Sequence, residues 1–386
     1  MKPKKTEFFL IIAPGTEDIA TQELQEVWGY LLTADFRPHS EALPELKKQY
    51  GGISFSADLA LGLQLHFWLK IPVRILVRTQ EFFADEFYQL ENALRTSDLK
   101  KWFDAGAELE FKIESQKSKL GQEKRILEVV KKVFAKDFKI VDEAPLRVYL
   151  RASQNQWTLS LDATGEPLYK RAWAPFKGDA PLRENLAASI WRMISQDQVT
   201  SELKDIHVYD PFAGSGTCLF EAALMFELQT QRSFSFLNWK QTPAFLKLPQ
   251  FFKNYKLPIA IGVQSLTAAD SDPQMIQAMQ SNLSAIQKWK SDFKISILQK
   301  DFWHKENIFS ESKKSVWIIT NPPFGQRIPW SAEQKKTWLK HLVKTTNAQR
   351  IGFIYPQKML NQIEFPDSYD LLSKTEFLHG DRKSVV

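Results

Sequence analysis

The clearest indication of the fold is the sequence Ile206-His207-Val208-Tyr209-Asp210-Pro211-Phe212-Ala213-Gly214-Ser215-Gly216-Thr217. It begins as a buried strand, continues through a loop with two glycines, and enters a segment with helical spacing. The glycines allow the backbone to approach a ligand at the carboxyl end of the strand. A phosphate-binding loop would need a lysine at the helix start, and a dinucleotide fingerprint would need a third glycine. The acid that opens the loop, Asp210, instead suits a cationic amine, so the sequence predicts an aminoacyl-type ligand or a tight strand-to-helix turn.

Strands and helices alternate on both sides of this stretch. A helix is predicted at 180–194 before it and another at 217–228, and 229–258 is predicted to be a looser insertion rich in Phe, Trp and Pro. Beyond the insertion, strands are predicted at 259–269, 294–299, 316–320 and 350–355, helices at 273–286 and 332–347, and a final strand pair near 371–386. This alternation predicts a mostly parallel sheet with helices on both faces.

Acidic residues end two of the later strands. Asp270, followed by Ser271, comes at a strand tip where a carboxylate can accept hydrogen bonds from two ribose hydroxyls. Asp301 ends the next strand, where it can accept from an adenine amine, and Phe302 can pack on the ring. Each acid alone is also typical of a cap or a turn, but their order at successive strand ends favours a ligand site.

The strand 316–320 runs directly into Asn321-Pro322-Pro323-Phe324. Neither proline has an N–H and both have fixed φ angles, so the loop is rigid and offers free carbonyls, an amide and an aromatic ring. The amide oxygen and a loop carbonyl can accept both hydrogens of an exocyclic NH2, and the ring can stack on a base. A turn after a strand is the alternative, because Asn-Pro commonly opens turns. The four residues do not specify which base is bound.

Composition limits the class of protein. The chain has 386 residues, 44% hydrophobic and 25% charged, which indicates a globular protein of two or three domains. Its apolar runs are too short for a membrane span or a signal peptide, so we expect no membrane partner and a cytoplasmic location. One cysteine, Cys218, excludes an internal disulfide and a cysteine-cluster zinc site. The six histidines are scattered, so no metal is expected.

The N-terminal half has a different pattern. Short strands alternate with helices such as the amphipathic segment 87–103, which predicts a compact α+β module. Residues 112–139 are locally basic. The overall charge of +6 is the sum of −1 for residues 1–165 and +7 for residues 166–386, which have 28 basic and 21 acidic side chains. This excess fits a polyanionic partner or a solvated helix face.

Taken together, the motifs resemble a known family. The glycine loop, Asp270-Ser271-Asp272-Pro273, Asp301 and Asn321-Pro322-Pro323-Phe324, in this order, are similar to class I S-adenosylmethionine-dependent methyltransferases that modify exocyclic amines. Gly51–Phe55, Leu65–Leu76, Ser115–Leu120, Leu161–Gly165, Leu168–Arg171 and Ala180–Ala188 resemble bacterial THUMP-domain RNA guanine-N2 methyltransferases, the UPF0020 family that acts on 23S rRNA. The departures are Ala172-Trp173, where the family often has Gly-Tyr, and Ala269, where glycine is usual.

The resemblance implies a domain organisation and a fold. It implies an N-terminal ferredoxin-like element (1–55), a THUMP RNA-binding domain (56–165) and a Rossmann-like α/β methyltransferase domain with a mostly parallel seven-stranded sheet (166–386). The implied reaction is methylation of guanine N2 in 23S rRNA. A tRNA guanine-N2 methyltransferase, a DNA adenine-N6 methyltransferase and a non-catalytic RNA-binding ribosome assembly factor remain as alternatives.

The resemblance also assigns the site residues. Asn321, Pro322, Pro323 and Phe324 are the expected catalytic residues. The expected S-adenosylmethionine contacts are Asp210, Pro211, Phe212, Ala213, Gly214, Ser215, Gly216, Thr217, Asp270, Ser271, Asp301, Phe302, Pro181 and Leu182. Lys117, Lys119 and Arg327 are expected to bind RNA.

Overall fold

The computed structural model describes residues 5–176, 178, 182–196, 200–248, 263, 265–304, 309, 314–323, 330–379 and 382–385. The chain forms two compact units, each made of three separate segments. Unit 1 contains Met1–Ile12, Thr21–Leu168 and Arg232–Tyr255, and unit 2 contains Ala13–Ala20, Tyr169–Gln231 and Lys256–Val386. Over the described ranges, no helix is long and apolar enough to cross a membrane.

Unit 1 is built on an eight-stranded sheet with the order β2-β3-β1-β4-β8-β7-β5-β6. Its strands are β1 (Thr6–Ile11), β2 (Lys47–Gln49), β3 (Gly52–Ala57), β4 (Arg74–Phe83), β5 (Glu108–Gln116), β6 (Lys139–Val141), β7 (Leu146–Ser153) and β8 (Gln156–Asp162). The helices in this half of the chain are α1 (Glu17–Trp28), α2 (Leu59–Trp68), α3 (Phe87–Arg95), α4 (Leu99–Trp102) and α5 (Glu123–Phe134). Strand β5 runs parallel to β6 and β7, and the other pairs are antiparallel. Strands from 1–55 and from 56–165 therefore share one sheet.

The segment 87–103 forms two helices where the sequence predicts one. The backbone leaves α3 at Arg95 and enters α4 at Leu99. Gln80 on β4 donates from Nε2 to the Ala93 carbonyl at 2.9 Å, and Thr96 donates to the same carbonyl at 2.8 Å. These side chains satisfy a carbonyl at the end of α3, which replaces the helical hydrogen bond that would have continued it.

Part of the predicted loose insertion belongs to the core of unit 1. The rings of Phe234 and Phe67 have centroids 4.9 Å apart, and Phe236 lies 4.9 Å from the ring of His66. Trp239, which is 1% exposed, packs on Trp102 at 5.4 Å. The aromatic content of this segment is therefore core, and the prediction of a loose insertion is wrong for residues 232–248.

His66 makes the stability of the protein depend on pH. It is fully buried, with Nδ1 2.9 Å from the Leu63 carbonyl, and burial lowers its pKa from 6.5 to about 3. The unfolded chain therefore binds a proton below pH 6.5 that the folded chain does not, so stability falls as pH falls through that value. We expect this group to lower the free energy of unfolding by roughly 2 kcal/mol between pH 7 and pH 5.

Urea unfolding at both pH values measures this effect. The variant His66→Gln removes the titrating group, so its unfolding free energy should change less between pH 7 and pH 5 than that of the wild type. Equal pH dependence in the two proteins would show that His66 is not responsible.

Unit 2 contains a five-stranded parallel sheet with the order β11-β10-β9-β12-β13. Its strands are β9 (Ile206–Asp210), β10 (Ser265–Asp270), β11 (Ser296–Gln299), β12 (Ser315–Thr320) and β13 (Arg350–Phe353). The helices are α6 (Glu184–Ser195), α7 (Thr217–Ala223), α8 (Pro273–Gln287) and α9 (Ala332–Thr346). This confirms the predicted Rossmann-like α/β class.

The predicted seven-stranded sheet is divided in the described structure. Five strands are parallel, and β15 (Glu376–His379) and β16 (Arg382–Val385) form an antiparallel pair. That pair joins β14 (Tyr355–Pro356), which follows β13 after the single residue Ile354, and the three form a separate sheet. The predicted final strand pair is thus present, but it pairs with β14 in a separate three-stranded sheet and not with the parallel sheet.

The strand order creates one crevice in the parallel sheet. The chain proceeds from β9 outward to β10 and β11, and then returns to the other side of β9 with β12 and β13. The connections that follow β9 and β12 must therefore leave the sheet in opposite directions. The carboxyl ends of these two adjacent strands flank an opening. Such a switch point is where open α/β sheets bind ligands.

Candidate active site

The loop between β9 and α7 is held against the neighbouring strand and is open on one side. The Ala213 N–H donates to the Ala269 carbonyl at 3.0 Å, and the Gly216 N–H donates to the Ala213 carbonyl at 2.7 Å. Gly214 and Gly216 have φ angles of 54° and 91°, which glycine favours. A Cβ on Gly216 would lie 2.5 Å from the Phe220 ring, whereas a Cβ on Gly214 would meet no atom of the described structure within 4 Å. Gly214 therefore borders open space.

Asp210 joins the two strands at the switch point. It is 1% exposed, and its Oδ1 accepts from the Thr320 hydroxyl at 2.6 Å and from the Phe212 N–H at 3.0 Å. Burial raises the pKa of Asp210 to about 7, against the opposing effect of the Thr320 hydrogen bond. A nearby positive charge would favour the ionised carboxylate, because in this environment the charged form is costly. The carboxyl group thus fixes the glycine loop to the end of β12.

Asp270 organises the same loop from the other side. Its Oδ2 accepts from the Gly214 N–H at 2.8 Å, and its Oδ1 accepts from the Asp272 N–H at 2.9 Å. Burial raises the pKa of Asp270, and the two N–H donors act in the opposite direction. Each oxygen can still accept a further hydrogen bond, and the side chain is partly exposed. The geometry therefore leaves Asp270 able to accept from a pair of hydroxyls.

The turn after β11 carries Asp301 and an aromatic cluster. The Asp301 carboxylate accepts from the Trp303 N–H at 2.7 Å and is exposed. The Phe302 ring lies 4.4 Å from that of Phe212 in the glycine loop. The Phe302 carbonyl is 3.0 Å from His341 Nε2 on α9, which fits an N–H donated by the imidazole. The predicted adenine-side residues and the glycine loop are thus in direct contact.

The predicted catalytic loop begins at the switch point. Asn321 follows Thr320 and is half-buried, Pro322 is buried, and Pro323 is half-buried. Within the part of the chain that the structure describes, the Asn321 amide makes no hydrogen bond, so it is available to a ligand. Phe324 lies outside the described residues.

The remaining predicted site residues fall in three groups. Pro211, Ala213, Ser215 and Thr217 belong to the glycine loop and its helix start, Ser271 follows Asp270, and Leu182 is buried just before α6. Lys117 and Lys119 are exposed in unit 1, where Lys119 forms an ion pair with Asp85 at 2.7 Å. Pro181 and Arg327 lie outside the described residues.

Two residues near the site were not singled out from the sequence. Thr320 carries the hydroxyl that bonds to Asp210, and its position as the last residue of a predicted strand beside the Asn-Pro-Pro loop was an available signal. Trp330 packs on both Phe212 and Phe302, with ring centroids 5.5 Å and 6.1 Å apart. No local pattern indicated Trp330, because its partners come from distant parts of the chain.

The fold and the arrangement of the site define a class. A parallel α/β sheet with a glycine loop after β9, an acid at the end of β10 and an Asn-Pro-Pro loop after β12 is the organisation of a methyltransferase domain that uses S-adenosylmethionine. Residues 171–349 match the family model UPF0020, described as RMKL-like, methyltransferase domain. This part of the chain is similar to the methyltransferase domain of that family, and the match confirms the expected class and cofactor.

Individual proteins are similar over more of the chain. A Synechocystis sp. protein named "Putative RNA methyltransferase slr0064" is 28% identical over 83% of this chain and 80% of its own length. The ribosomal RNA large subunit methyltransferase K/L of Acinetobacter baylyi is 22% identical over 86% of this chain, which spans 46% of that protein. The solved structure of SMU.472 complexed with SAH has a TM-score of 0.74 at 19% identity, covering 100% of this chain and 97% of that one.

Proposed function

We propose that this protein transfers a methyl group from S-adenosylmethionine to an exocyclic amine of structured RNA, namely N2 of a guanine in 23S rRNA. The observation that carries the proposal is the 2.6 Å hydrogen bond between Thr320 and Asp210. It ties the residue directly before Asn321 to the acid that opens the glycine loop. A loop suited to an amine acceptor and a loop suited to the methyl donor therefore start at adjoining strand ends.

The residues around the glycine loop fit the cofactor. S-adenosylmethionine supplies a methyl group on a positively charged sulfur. The open side of Gly214 allows close approach, and Asp270 has free acceptor capacity for ribose hydroxyls. Asp301 is exposed and can accept from an adenine amine, beside the half-buried ring of Phe302. Asp210 is buried, accepts a hydrogen bond from the Phe212 N–H in the glycine loop and supplies negative charge near a cationic ligand.

Orientation of the acceptor amine accounts for the reaction. The lone pair of a guanine N2 is delocalised into the ring, so the amine is a weak nucleophile. Hydrogen bonds from its two N–H groups to the Asn321 amide oxygen and the Pro322 carbonyl would pull the nitrogen toward tetrahedral geometry, so that its lone pair is localised and points at the methyl group. Phe324 is proposed to stack on a base that is flipped out or unpaired. The amine loses its proton after transfer, so no strong general base is needed.

The N-terminal half is proposed to hold the RNA. We retain the division into 1–55, a THUMP module at 56–165 and the methyltransferase domain at 166–386. Lys117 and Lys119 are exposed cations in that module, and they and Arg327 are proposed to contact phosphates. The names of the Synechocystis and Acinetobacter relatives, an RNA methyltransferase and a ribosomal RNA methyltransferase, support an RNA substrate and rRNA in particular.

Nucleoside mass spectrometry tests the proposal. A deletion strain should lose one N2-methylguanosine from 23S rRNA, and purified protein with S-adenosylmethionine should restore it in vitro. Loss from tRNA instead would move the substrate to tRNA, and loss of N6-methyladenine from DNA would make the protein an adenine methylase. If the deletion strain has unchanged nucleosides but defective ribosome assembly, the result would favour a non-catalytic assembly factor.

The two glycines allow the cofactor site to be separated from the fold. Gly214→Ala should cost only about 1 kcal/mol of stability, from its positive φ, because its Cβ enters open space. Gly216→Ala should cost more, about 3 kcal/mol, since its Cβ also meets the Phe220 ring. If the cofactor occupies the space beside Gly214, then Gly214→Ala should weaken S-adenosylhomocysteine binding at least tenfold.

Calorimetric titration with S-adenosylhomocysteine and urea unfolding together measure both quantities. Undiminished affinity in Gly214→Ala would mean that the cofactor does not approach the loop at this point.

A further inference from the structure

Trp330 stands between the two cofactor-side loops. Its ring is 7% exposed and lies 5.5 Å from Phe212, which belongs to the glycine loop after β9. It stacks at an interplanar angle of 19° on Phe302, which belongs to the turn after β11, and it lies 5.6 Å from Trp303 in the same turn. One side chain thus contacts both loops that are expected to enclose the cofactor.

The packing of the Trp330 side chain is not that of a residue that only starts the following helix. Ser331 caps α9, accepting from the Gln334 N–H at 3.1 Å, so Trp330 is the residue before the cap. An apolar residue at that position commonly packs on the fourth helical residue, which here is Lys335. Trp330 instead packs on rings from β9 and β11 loops, and its other ring neighbour in α9 is Trp338 at 6.3 Å.

We propose that Trp330 is a positioning residue for cofactor binding: it fixes Phe212 and Phe302 relative to each other and so keeps the glycine loop and the Asp301 turn in their binding arrangement. The inference rests on the proposed cofactor contacts of these loops, but it does not depend on which nucleic acid accepts the methyl group.

His341 supports the same turn from α9. Its ring centroid is 5.1 Å from those of Phe302 and Trp303, and its Nε2 lies 3.0 Å from the Phe302 carbonyl. The Asp301 turn is therefore held by a hydrogen bond on one side and by Trp330 on the other. Removal of Trp330 leaves the turn attached to α9 and leaves the direct contact between Phe302 and Phe212, but it removes the ring that packs on both.

A loop pair that is correctly arranged for only part of the time binds its ligand more weakly in proportion to that fraction. If the arrangement is populated about one tenth of the time without Trp330, the dissociation constant rises roughly tenfold. We therefore expect Trp330→Ala to weaken S-adenosylhomocysteine binding about tenfold. Trp330→Phe, which retains a ring, should show a smaller loss.

Trp338 provides a matched control. It is a fully buried tryptophan in the same cluster that neighbours Trp330, but its other ring contacts are Phe353 and Tyr355 on β13 and β14 and not the two cofactor-side loops. Alanine at either position should lower the urea midpoint, because each removes a large buried ring. Only the change at position 330 should also raise the dissociation constant for S-adenosylhomocysteine.

Calorimetry measures the dissociation constant for S-adenosylhomocysteine without RNA. It is carried out on the full-length wild type and on four variants with alanine or phenylalanine at positions 330 and 338. The phenylalanine variants retain a readout if an alanine variant does not fold. The proposal is overturned if both Trp330 variants bind as tightly as the wild type, if the Trp338 variants lose as much affinity, or if the wild type does not bind. A protein that binds normally but methylates no RNA would contradict the proposed function and leave this inference standing.

Discussion

Asn321→Ala is expected to lower the rate of methyl transfer by about 10²–10³-fold, with S-adenosylhomocysteine affinity within about twofold of the wild type. Asn321 is half-buried at the carboxyl end of β12, and its amide makes no hydrogen bond with the described residues. Its loss is therefore expected to remove the proposed interaction with the acceptor amine rather than one that supports the fold. Single-turnover transfer from labelled S-adenosylmethionine to RNA measures the rate.

The size of the effect follows from the role proposed for the Asn321 amide. One hydrogen-bond acceptor aimed at the amine both orients the lone pair and stabilises positive charge as the methyl group arrives. Removal of one such preorganised group costs two to three orders of magnitude in well-studied enzymes. Asn321→Asp, which keeps an acceptor oxygen, should retain more activity than Asn321→Ala.

Asn361 is a suitable control because it is exposed in the same unit. Asn361→Ala should leave transfer, cofactor affinity and stability unchanged. A normal transfer rate in folded Asn321→Ala would remove the amide from the mechanism.

Glu221→Gln is expected to destabilise the protein by about 3 kcal/mol or more. Glu221 and Arg171 are both about 2% exposed, and two parallel hydrogen bonds of 3.2 Å and 3.1 Å join them. Neutralising the carboxylate leaves the arginine charge buried with a weaker partner, which costs more than the pair itself contributes. Urea unfolding followed by circular dichroism measures the loss.

Glu227→Gln is the matched control, since the same chemical change affects a partly exposed ion pair with Lys290. That change should cost less than 1 kcal/mol. The double variant Arg171→Met with Glu221→Leu removes both charges and should recover much of the lost stability. A loss below 1 kcal/mol in Glu221→Gln would show that the buried Arg171 charge does not depend on the Glu221 carboxylate.

The positions of the candidate site residues at the strand ends were largely predictable, because each part of the candidate site is encoded by local sequence. Asp272 stands directly before Pro273, which is a local pattern typical of a helix N-cap, and its side chain accepts from the Gln274 N–H at 2.8 Å at the start of α8. The glycine loop is also encoded locally, because only a strand, a left-handed turn and a helix are compatible with its residues. The order of these elements then determined which strand ends would meet.

Features that depend on distant contacts were not predictable. The helix from Thr217 ends at Ala223 although its spacing continues, and beyond it Gln229 accepts from Arg171 at 3.4 Å. Ala172 has a φ of 65°, a conformation that glycine favours, although nothing in its immediate sequence requires it. The composition of residues 234–239 predicted a lack of long regular elements, but it did not indicate that these aromatic residues complete the core of unit 1.

The interlaced course of the chain has a consequence for biosynthesis. Unit 1 begins at the N-terminus, yet Phe234, Phe236 and Trp239 of its aromatic core lie about 70 residues beyond the last strand of its sheet. Proteins of several domains usually fold from the N-terminus as they leave the ribosome. We therefore expect the aromatic core of unit 1 to be completed only after residue 239 has been translated, and a protein truncated near residue 165 should leave His66, Phe67 and Trp102 without these ring partners.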